Sequence, residues 1–195
     1  VARANADEWQ RRRTLSRELH GPLQSTINAA ALRLHLALSA GNVSDEFVSA
    51  LSADILRSVS ALEERSADAW DARLAFERIK ATWAGLCEVD IEISPHVEQL
   101  LQSDDACRGA VIDIVTEACS NAVRHGKAKS VLVTFDLPTG RELLLVIQDD
   151  GSTVDSDSSI PGLGTHILDE VALDWQRSPT LVGTTLAVKL PLQAS

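Results

Sequence analysis

Residues 111–126 read VIDIVTEACSNAVRHG and combine a helical apolar pattern with a row of polar side chains. The apolar residues recur at helical spacing and predict a buried stripe of Val111, Ile114, Val115, Ala118 and Ala122. The polar residues fall three, four or eight positions apart and share the opposite face: Glu117, Asn121, Arg124 and His125. A carboxylate, an amide oxygen and cations in one row suit a hydrated Mg²⁺ bound to a polyphosphate.

Strand patterns surround this helix, which we expect to span residues 105–125. CEVDIEIS (87–94) alternates apolar and polar residues before the helix, and SVLVTFDL (130–137) and RELLLVIQD (141–149) follow it. A last pair of strands ends in GTTLAVKLPL (183–192). The second half of the chain therefore predicts a mixed sheet under helices.

A second group of polar and glycine residues follows the apolar strand LLLVIQ. Asp149 at the strand end can accept a hydrogen bond from an exocyclic amine such as that of adenine, and Gly151 lets a base approach the backbone. A loop rich in Gly, Ser and Asp (151–161) then leads to a helix that opens with Gly162 and Gly164, whose amides suit anionic phosphates. The pattern indicates a nucleotide site.

The first part of the chain has a different organisation. An apolar stripe at helical spacing runs from Leu15 to Leu38, Gly41 and Asn42 interrupt it, and a second stripe ends near Ser66. Two such helices form an antiparallel hairpin, but each apolar face is too wide for one partner. We therefore expect a homodimer held by residues about 10–69 as a four-helix bundle. The predicted domains are 1–72 and 73–195.

Composition limits the partners. With 18 Lys and Arg against 28 Asp and Glu, the net charge of −10 argues against a direct nucleic-acid-binding surface. The three cysteines lack zinc or disulfide spacing, which fits a reducing compartment. The chain begins at Val1 and has no Met, so we expect an excerpt of a longer protein, with any membrane segment lying upstream.

In this order the segments resemble the catalytic half of bacterial two-component sensor histidine kinases, over about residues 8–191. The family's asparagine box, E-x-x-x-N-x-x-(K/R)-H, is met by Glu117, Asn121, Arg124 and His125. RELH at 17–20 is similar to the RELHD phosphoacceptor motif of the nitrate-sensor and desaturase-regulator branch. The implied fold is α+β: a long antiparallel helical hairpin, forming a dimeric four-helix bundle, followed by an ATP-binding α/β sandwich of the Bergerat type.

The resemblance also implies the chemistry and the site. His20 would take a phosphoryl group from ATP and pass it to an Asp in the receiver domain of a response regulator, with His20 and Glu117 as catalytic residues and Mg²⁺ on Asn121. The implied nucleotide-binding residues are Asn121, Arg124, His125, Asp149, Gly151, Gly162, Gly164, Thr184 and Thr185. The implied location is the cytoplasm, either as a free protein or as the cytoplasmic part of a membrane-bound sensor.

Three positions depart from the family pattern. Gly21 stands where an acid normally follows the phosphorylated His, Ser25 where the family has Gln, and Thr153 where the adenine box often has a second Gly. We therefore expect weak or conditional self-phosphorylation. Two alternatives remain open: a non-catalytic or phosphotransfer relative that acts as a dimeric scaffold, and an ATP-dependent serine kinase of the anti-sigma type.

Overall fold

A computed structural model of the chain describes residues 23–63, 71–152 and 163–192. The chain divides into two compact units, Val1–Ala67 (unit 1) and Asp68–Ser195 (unit 2), a few residues before the predicted boundary at 72/73. Several residues with predicted roles lie outside the described ranges: His20, Gly21, Thr153 and Gly162. What the sequence predicts for them stays a prediction.

Unit 1 contains two helices in its described part, α1 (residues 23–39) and α2 (Asp45–Glu63). Ser44 begins α2 as an N-cap, because its hydroxyl accepts the amide hydrogen bond of a first-turn residue at 3.1 Å. A 3.7 Å ion pair between Arg33 of α1 and Asp54 of α2 links the helices across a short turn. The ion pair joins the two helices at these residues, while the antiparallel hairpin and the four-helix bundle remain predictions.

Apolar side chains of the predicted helical stripes are accessible in unit 1. Ile27 and Val48 are each 44% exposed and Leu38 is 62% exposed, while Leu23 and Leu34 are half-buried. These are positions at which the sequence predicts contact with a second copy of the chain.

The described part of unit 2 contains one mixed five-stranded sheet, which confirms the predicted α+β class. The strands lie in the order β1-β2-β3-β5-β4, and only the β1–β2 pair is parallel. Their bounds are Glu88–Glu92 (β1), Ser130–Thr139 (β2), Glu142–Asp149 (β3), Asp174–Pro179 (β4) and Thr184–Pro191 (β5). The strands predicted from CEVDIEIS, SVLVTFDL and RELLLVIQD are therefore confirmed as β1, β2 and β3.

Four helices of unit 2 are described: α3 (Ala72–Trp83), α4 (Pro95–Ser103), α5 (Asp105–Arg124) and α6 (Leu163–Val171). The bounds of α5 agree with the prediction. Helix α4 was not predicted, although Ser94 caps it and Pro95 stands in its first turn. None of the helices in the described ranges has the length and apolar character of a membrane span.

The helices lie on one face of the sheet. Helices α3, α4 and α5 contact strands β1 to β3, α6 contacts α5, and Phe76 of α3 meets Phe135 of β2 with ring centroids 5.9 Å apart. The alternate residues that face these helices are fully buried: Val131, Val133, Leu143, Leu145, Val188 and Leu190. This layer between sheet and helices is the core of the unit.

Helix α5 is buried over more of its surface than the sequence predicts. Ile112, Cys119 and Val123 lie outside the predicted stripe and are buried, whereas Ala118 within the stripe is only half-buried. The reason is that α5 contacts α3, α4 and α6 as well as the sheet, so apolar neighbours reach it from several directions.

Candidate nucleotide site

Three segments of unit 2 converge at the edge of the sheet where the central strand β3 ends: the end of α5, the turn after β3 and the start of β5. A Cβ placed on Gly151 would lie 2.8 Å from the carbonyl oxygen of Gly126, and one on Gly183 only 1.7 Å from that of Asp149. The amide of Ser152 donates to the Gly126 carbonyl at 2.8 Å. Backbone therefore packs directly on backbone here, and a side chain at any of the three glycines would force the segments apart.

Asp149 ends β3 with its side chain on the helix-covered face of the sheet. It pairs with buried Val131 on one side and with Thr184 on the other, and paired residues project from the same face. Partial burial raises the pKa of the Asp149 carboxyl, while the amides of Gly151 and Thr184 and the charge of Arg177 oppose that rise. The Gly151 amide donates to Oδ1 at 2.9 Å. Asp149 is thus a half-buried acceptor at the edge of the core.

The neighbouring carboxylate, Asp150, has a structural role. Oδ1 of Asp150 accepts the amides of Lys129 at 2.7 Å and Ser130 at 2.9 Å, at the start of β2. These hydrogen bonds, that of Ser130 foremost, hold the pKa of Asp150 below its usual value. Of the two adjacent carboxylates, Asp150 fixes a strand and Asp149 faces the helices.

Glu117 and Asn121, one turn apart on α5, are in direct contact. Nδ2 of Asn121 donates to Oε1 of Glu117 at 3.0 Å. A carboxylate only accepts, so the NH₂ group of the amide must face Glu117 and the amide oxygen must point away from it. Both side chains are half-buried. Asn121 therefore presents the type of oxygen that Mg²⁺ takes in proteins.

The other predicted site residues are placed as follows. Arg124 in the last turn of α5 and His125 at its C-cap are exposed. Gly164 lies in the first turn of α6, which contacts α5. Thr184 pairs with Asp149, but Thr185 pairs with Gln148, so its side chain projects from the opposite face of the sheet.

Two residues of this edge were not predicted. Gly126 follows directly after the last helical turn, a position where glycine is common, and that signal was available in the sequence. Arg177 of β4 acts on Asp149 through its charge. No sequence signal indicates Arg177, since only the register of β4 on β5 and of β5 on β3 puts it on the face that carries Asp149.

No protein-family model matches the chain, and no curated protein matches it either. Among solved structures it is similar to the histidine kinase domain of a blue-light activated histidine kinase from Erythrobacter litoralis EL346, with 17% identity, 94% of each chain covered and a TM-score of 0.49. Histidine kinase AdeS of Acinetobacter baumannii has 15% identity over 88% of this chain and 98% of that one, with a TM-score of 0.46. The ATP-binding domain of PrrB from Mycobacterium tuberculosis has 18% identity over 64% of this chain and 96% of that one, with a TM-score of 0.47.

Proposed function

We propose that unit 2 binds Mg²⁺-ATP and that the chain is a histidine kinase of the two-component type, phosphorylated on His20. The observation that carries the proposal is the convergence of a half-buried acceptor, Asp149, with closely packed glycines at the end of a helix whose Asn121 oxygen points away from Glu117. Polar groups of these types at the edge of an apolar core are what an adenine nucleotide with its metal requires.

The residues present fit both parts of that ligand. Asp149 would accept a hydrogen bond from the exocyclic amine of adenine. Asn121 would supply one oxygen to Mg²⁺, the rest coming from phosphate and water. Arg124 and His125, both exposed, would meet phosphate oxygens.

The chemistry proposed for His20 is a phosphoryl transfer, and Mg²⁺ when bound would neutralise phosphate charge. A neutral ring nitrogen of His20 forms a bond to the γ-phosphorus as the bond from that phosphorus to the leaving oxygen of ADP breaks, and the ring proton passes to a base. Glu117 is the proposed catalytic carboxylate. Because Gly21 replaces the acid that usually follows the His, we expect slow transfer.

The proposed partners follow from the same assignment. A second copy of the chain would cover the exposed apolar positions of α1 and α2, such as Leu38 and Val48, in a four-helix bundle. The phosphoryl group would then move from His20 to an Asp of a response-regulator receiver domain.

Nucleotide binding tests the site directly. We expect Asp149→Asn to weaken Mg²⁺-ATP binding at least about tenfold. The adenine amino group is a donor, and an Asn side chain whose NH₂ group faces it would place two donors together where an acceptor is needed. Asp90→Asn is the matched control, since Asp90 is an exposed carboxylate of β1 whose register places it on the opposite face of the sheet. Equal affinities of the two variants would refute the site, and a wild-type chain that binds no Mg²⁺-ATP would favour the scaffold alternative.

Transfer to His20 is tested with γ-labelled ATP. We expect an acid-labile label on the wild-type chain and none on His20→Gln, with His35→Gln as the control because His35 is an exposed histidine of α1. Label that survives His20→Gln would remove His20 from the reaction. Acid-stable label on serine would favour the anti-sigma type of kinase instead.

A further inference from the structure

Arg177 projects from the same face of the sheet as Asp149. The register places Arg177 of β4 beside Leu186 of β5, and Leu186 beside Ile147 of β3. Asp149 is two residues further along β3, so both side chains stand on the helix-covered face, with one strand between them. From a strand spacing of ~4.8 Å and a rise of ~3.3 Å per residue, their Cα atoms are roughly 12 Å apart, which a long arginine side chain can partly span.

Helix α6 covers the same part of this face. Trp175, two residues before Arg177 in β4, donates its indole N–H to Asp169 of α6 at 3.1 Å. Trp175 pairs with buried Val188, so it stands on the Arg177 face as well. Arg177 is exposed and stands on this face two residues beyond Trp175, on the side of the sheet that carries Asp149.

The charge of Arg177 is not taken up elsewhere in the described ranges. Arg177 forms no ion pair or side-chain hydrogen bond with a described residue, and the same holds for Arg73, Arg78, Arg124 and Arg141. Its electrostatic effect falls on Asp149, where it opposes the rise in pKa that burial causes.

Other titratable groups lie near Asp149. Asp150 from the turn raises the pKa of Asp149, and Cys87 at the start of β1 is close enough to interact with it. The residues of β5 and of the α5 end in backbone contact with Asp149 and its turn are uncharged, namely Thr184, Gly183 and Gly126. Basic side chains at that end of α5 and in the residues after it are Arg124, His125, Lys127 and Lys129. Among the groups that act most strongly on Asp149, Arg177 supplies the positive charge that favours its carboxylate form.

We propose that Arg177 is a positioning residue of the nucleotide site, which holds the Asp149 carboxylate in its charged form so that it accepts a hydrogen bond from the amino group of the bound base. The inference rests on the proposed function for its ligand. Its electrostatic part concerns this chain alone and is measurable without nucleotide. A protonated Asp149 would offer a donor toward the amine, so affinity falls as that carboxyl takes up a proton.

The test is a pH titration of the Asp149 carboxyl in the nucleotide-free full chain by NMR, for wild type and Arg177→Gln. We expect the midpoint to rise by about half a pH unit when the charge is lost, as a partly screened interaction over several ångströms predicts. Arg177→Lys restores the charge and should restore most of the shift. Arg141→Gln is the control, because Arg141 is exposed at the opposite end of β3 and should leave the midpoint unchanged.

The second readout is Mg²⁺-ATP affinity of the same variants between pH 4 and 8. Arg177→Gln should bind within about twofold of wild type at pH 8 and lose affinity at a higher pH than wild type does on acidification. An unchanged Asp149 midpoint with intact ATP binding would overturn the role of Arg177 alone. An equal loss of affinity at every pH would overturn it in favour of direct contact with the ligand. A wild-type chain that binds no Mg²⁺-ATP at any pH would overturn the proposed function itself.

Discussion

Gly183→Ala is expected to be among the most damaging single-methyl additions in unit 2. The added Cβ would lie 1.7 Å from the carbonyl oxygen of Asp149, 2.6 Å from its carbonyl carbon and 2.9 Å from the Cα of Asp150. Real Cβ contacts essentially never fall under 3.0 Å, so the two strands must separate by 3.0 − 1.7 = 1.3 Å. Every atom in the way is backbone, so no side-chain rotation relieves the overlap.

The cost follows from that geometry. Overpacking a core costs about 1–3 kcal/mol when neighbours can adjust, and we place Gly183→Ala at the upper end, about 3 kcal/mol of unfolding free energy. For a chain of this size that corresponds to a melting temperature lower by roughly 6–12 °C. The shift would also break the Asp149–Thr184 pair, so Mg²⁺-ATP affinity should fall with stability.

The measurement is urea denaturation of the full chain, with Gly109→Ala as the matched control. Gly109 lies inside α5 and an added Cβ there meets nothing within 4 Å, so alanine should stabilise the helix by about 0.5–1 kcal/mol. Gly151→Ala, with backbone contacts of 2.8–2.9 Å, should fall between the two. A Gly183→Ala chain as stable as wild type would refute the close packing of β5 on the turn after β3.

Three further outcomes are expected. Arg108→Met should lower the free energy of unfolding by about 2–3 kcal/mol in denaturant titrations. The reason is that the Arg108 guanidinium donates to the carbonyls of Leu101 and Gln102 at the end of α4, at 3.0 and 3.2 Å. Asp105→Asn should change the free energy of unfolding little, since the side chain of Asp105 is 87% exposed. Asp150→Ala should lower the free energy of unfolding by about 1 kcal/mol at pH 7, because two backbone amides lose their acceptor. The folded pKa of Asp150 is lowered from 3.8, so the carboxylate stabilises the fold above pH 3.8. The difference from wild type should therefore shrink as the pH falls below 3.8. Ellman's reagent should label no thiol of the native chain at pH 8 and three in denaturant, because all three cysteines are buried. Burial is the main cause that raises the folded pKa from 9.0 to about 11 for Cys87 and to about 12 for Cys107 and Cys119. The free energy of unfolding should therefore fall as the pH rises above 9.0, where thiols of the unfolded chain lose their protons first.

Local features of the site were predictable because they depend on spacing along one element. The i, i+4 separation of Glu117 and Asn121 places them in contact on α5, and the structure confirms that contact. The apolar runs of β2 and β3 mark those strands in the same way. Helix α4 had its own signals in Ser94 and Pro95, but it is short and follows closely on β1.

Features set by distant pairing were not predictable. The antiparallel pairing of β5 with β3 puts Gly183 against Asp149, 34 positions earlier in the sequence, and the pairing of β4 with β5 brings Arg177 onto the face of Asp149. A strand pattern specifies which residues alternate but not which strand lies alongside. The number of neighbours around α5 is likewise a property of the assembled layer, which is why its buried surface is wider than the apolar stripe indicates.

The glycines at the sheet edge serve close packing rather than turn conformation. Gly126, Gly151 and Gly183 all have backbone within 3.0 Å of where a Cβ would stand, and none of the three has a positive φ. The residue that does adopt a left-handed backbone there is Lys127, with φ of 54°, where glycine would avoid a cost of roughly 1 kcal/mol. Glycine thus occurs at these positions where backbone contacts backbone, and not at the left-handed residue Lys127. Compactness at Asp149 is therefore the property that alanine substitution of these glycines should disturb.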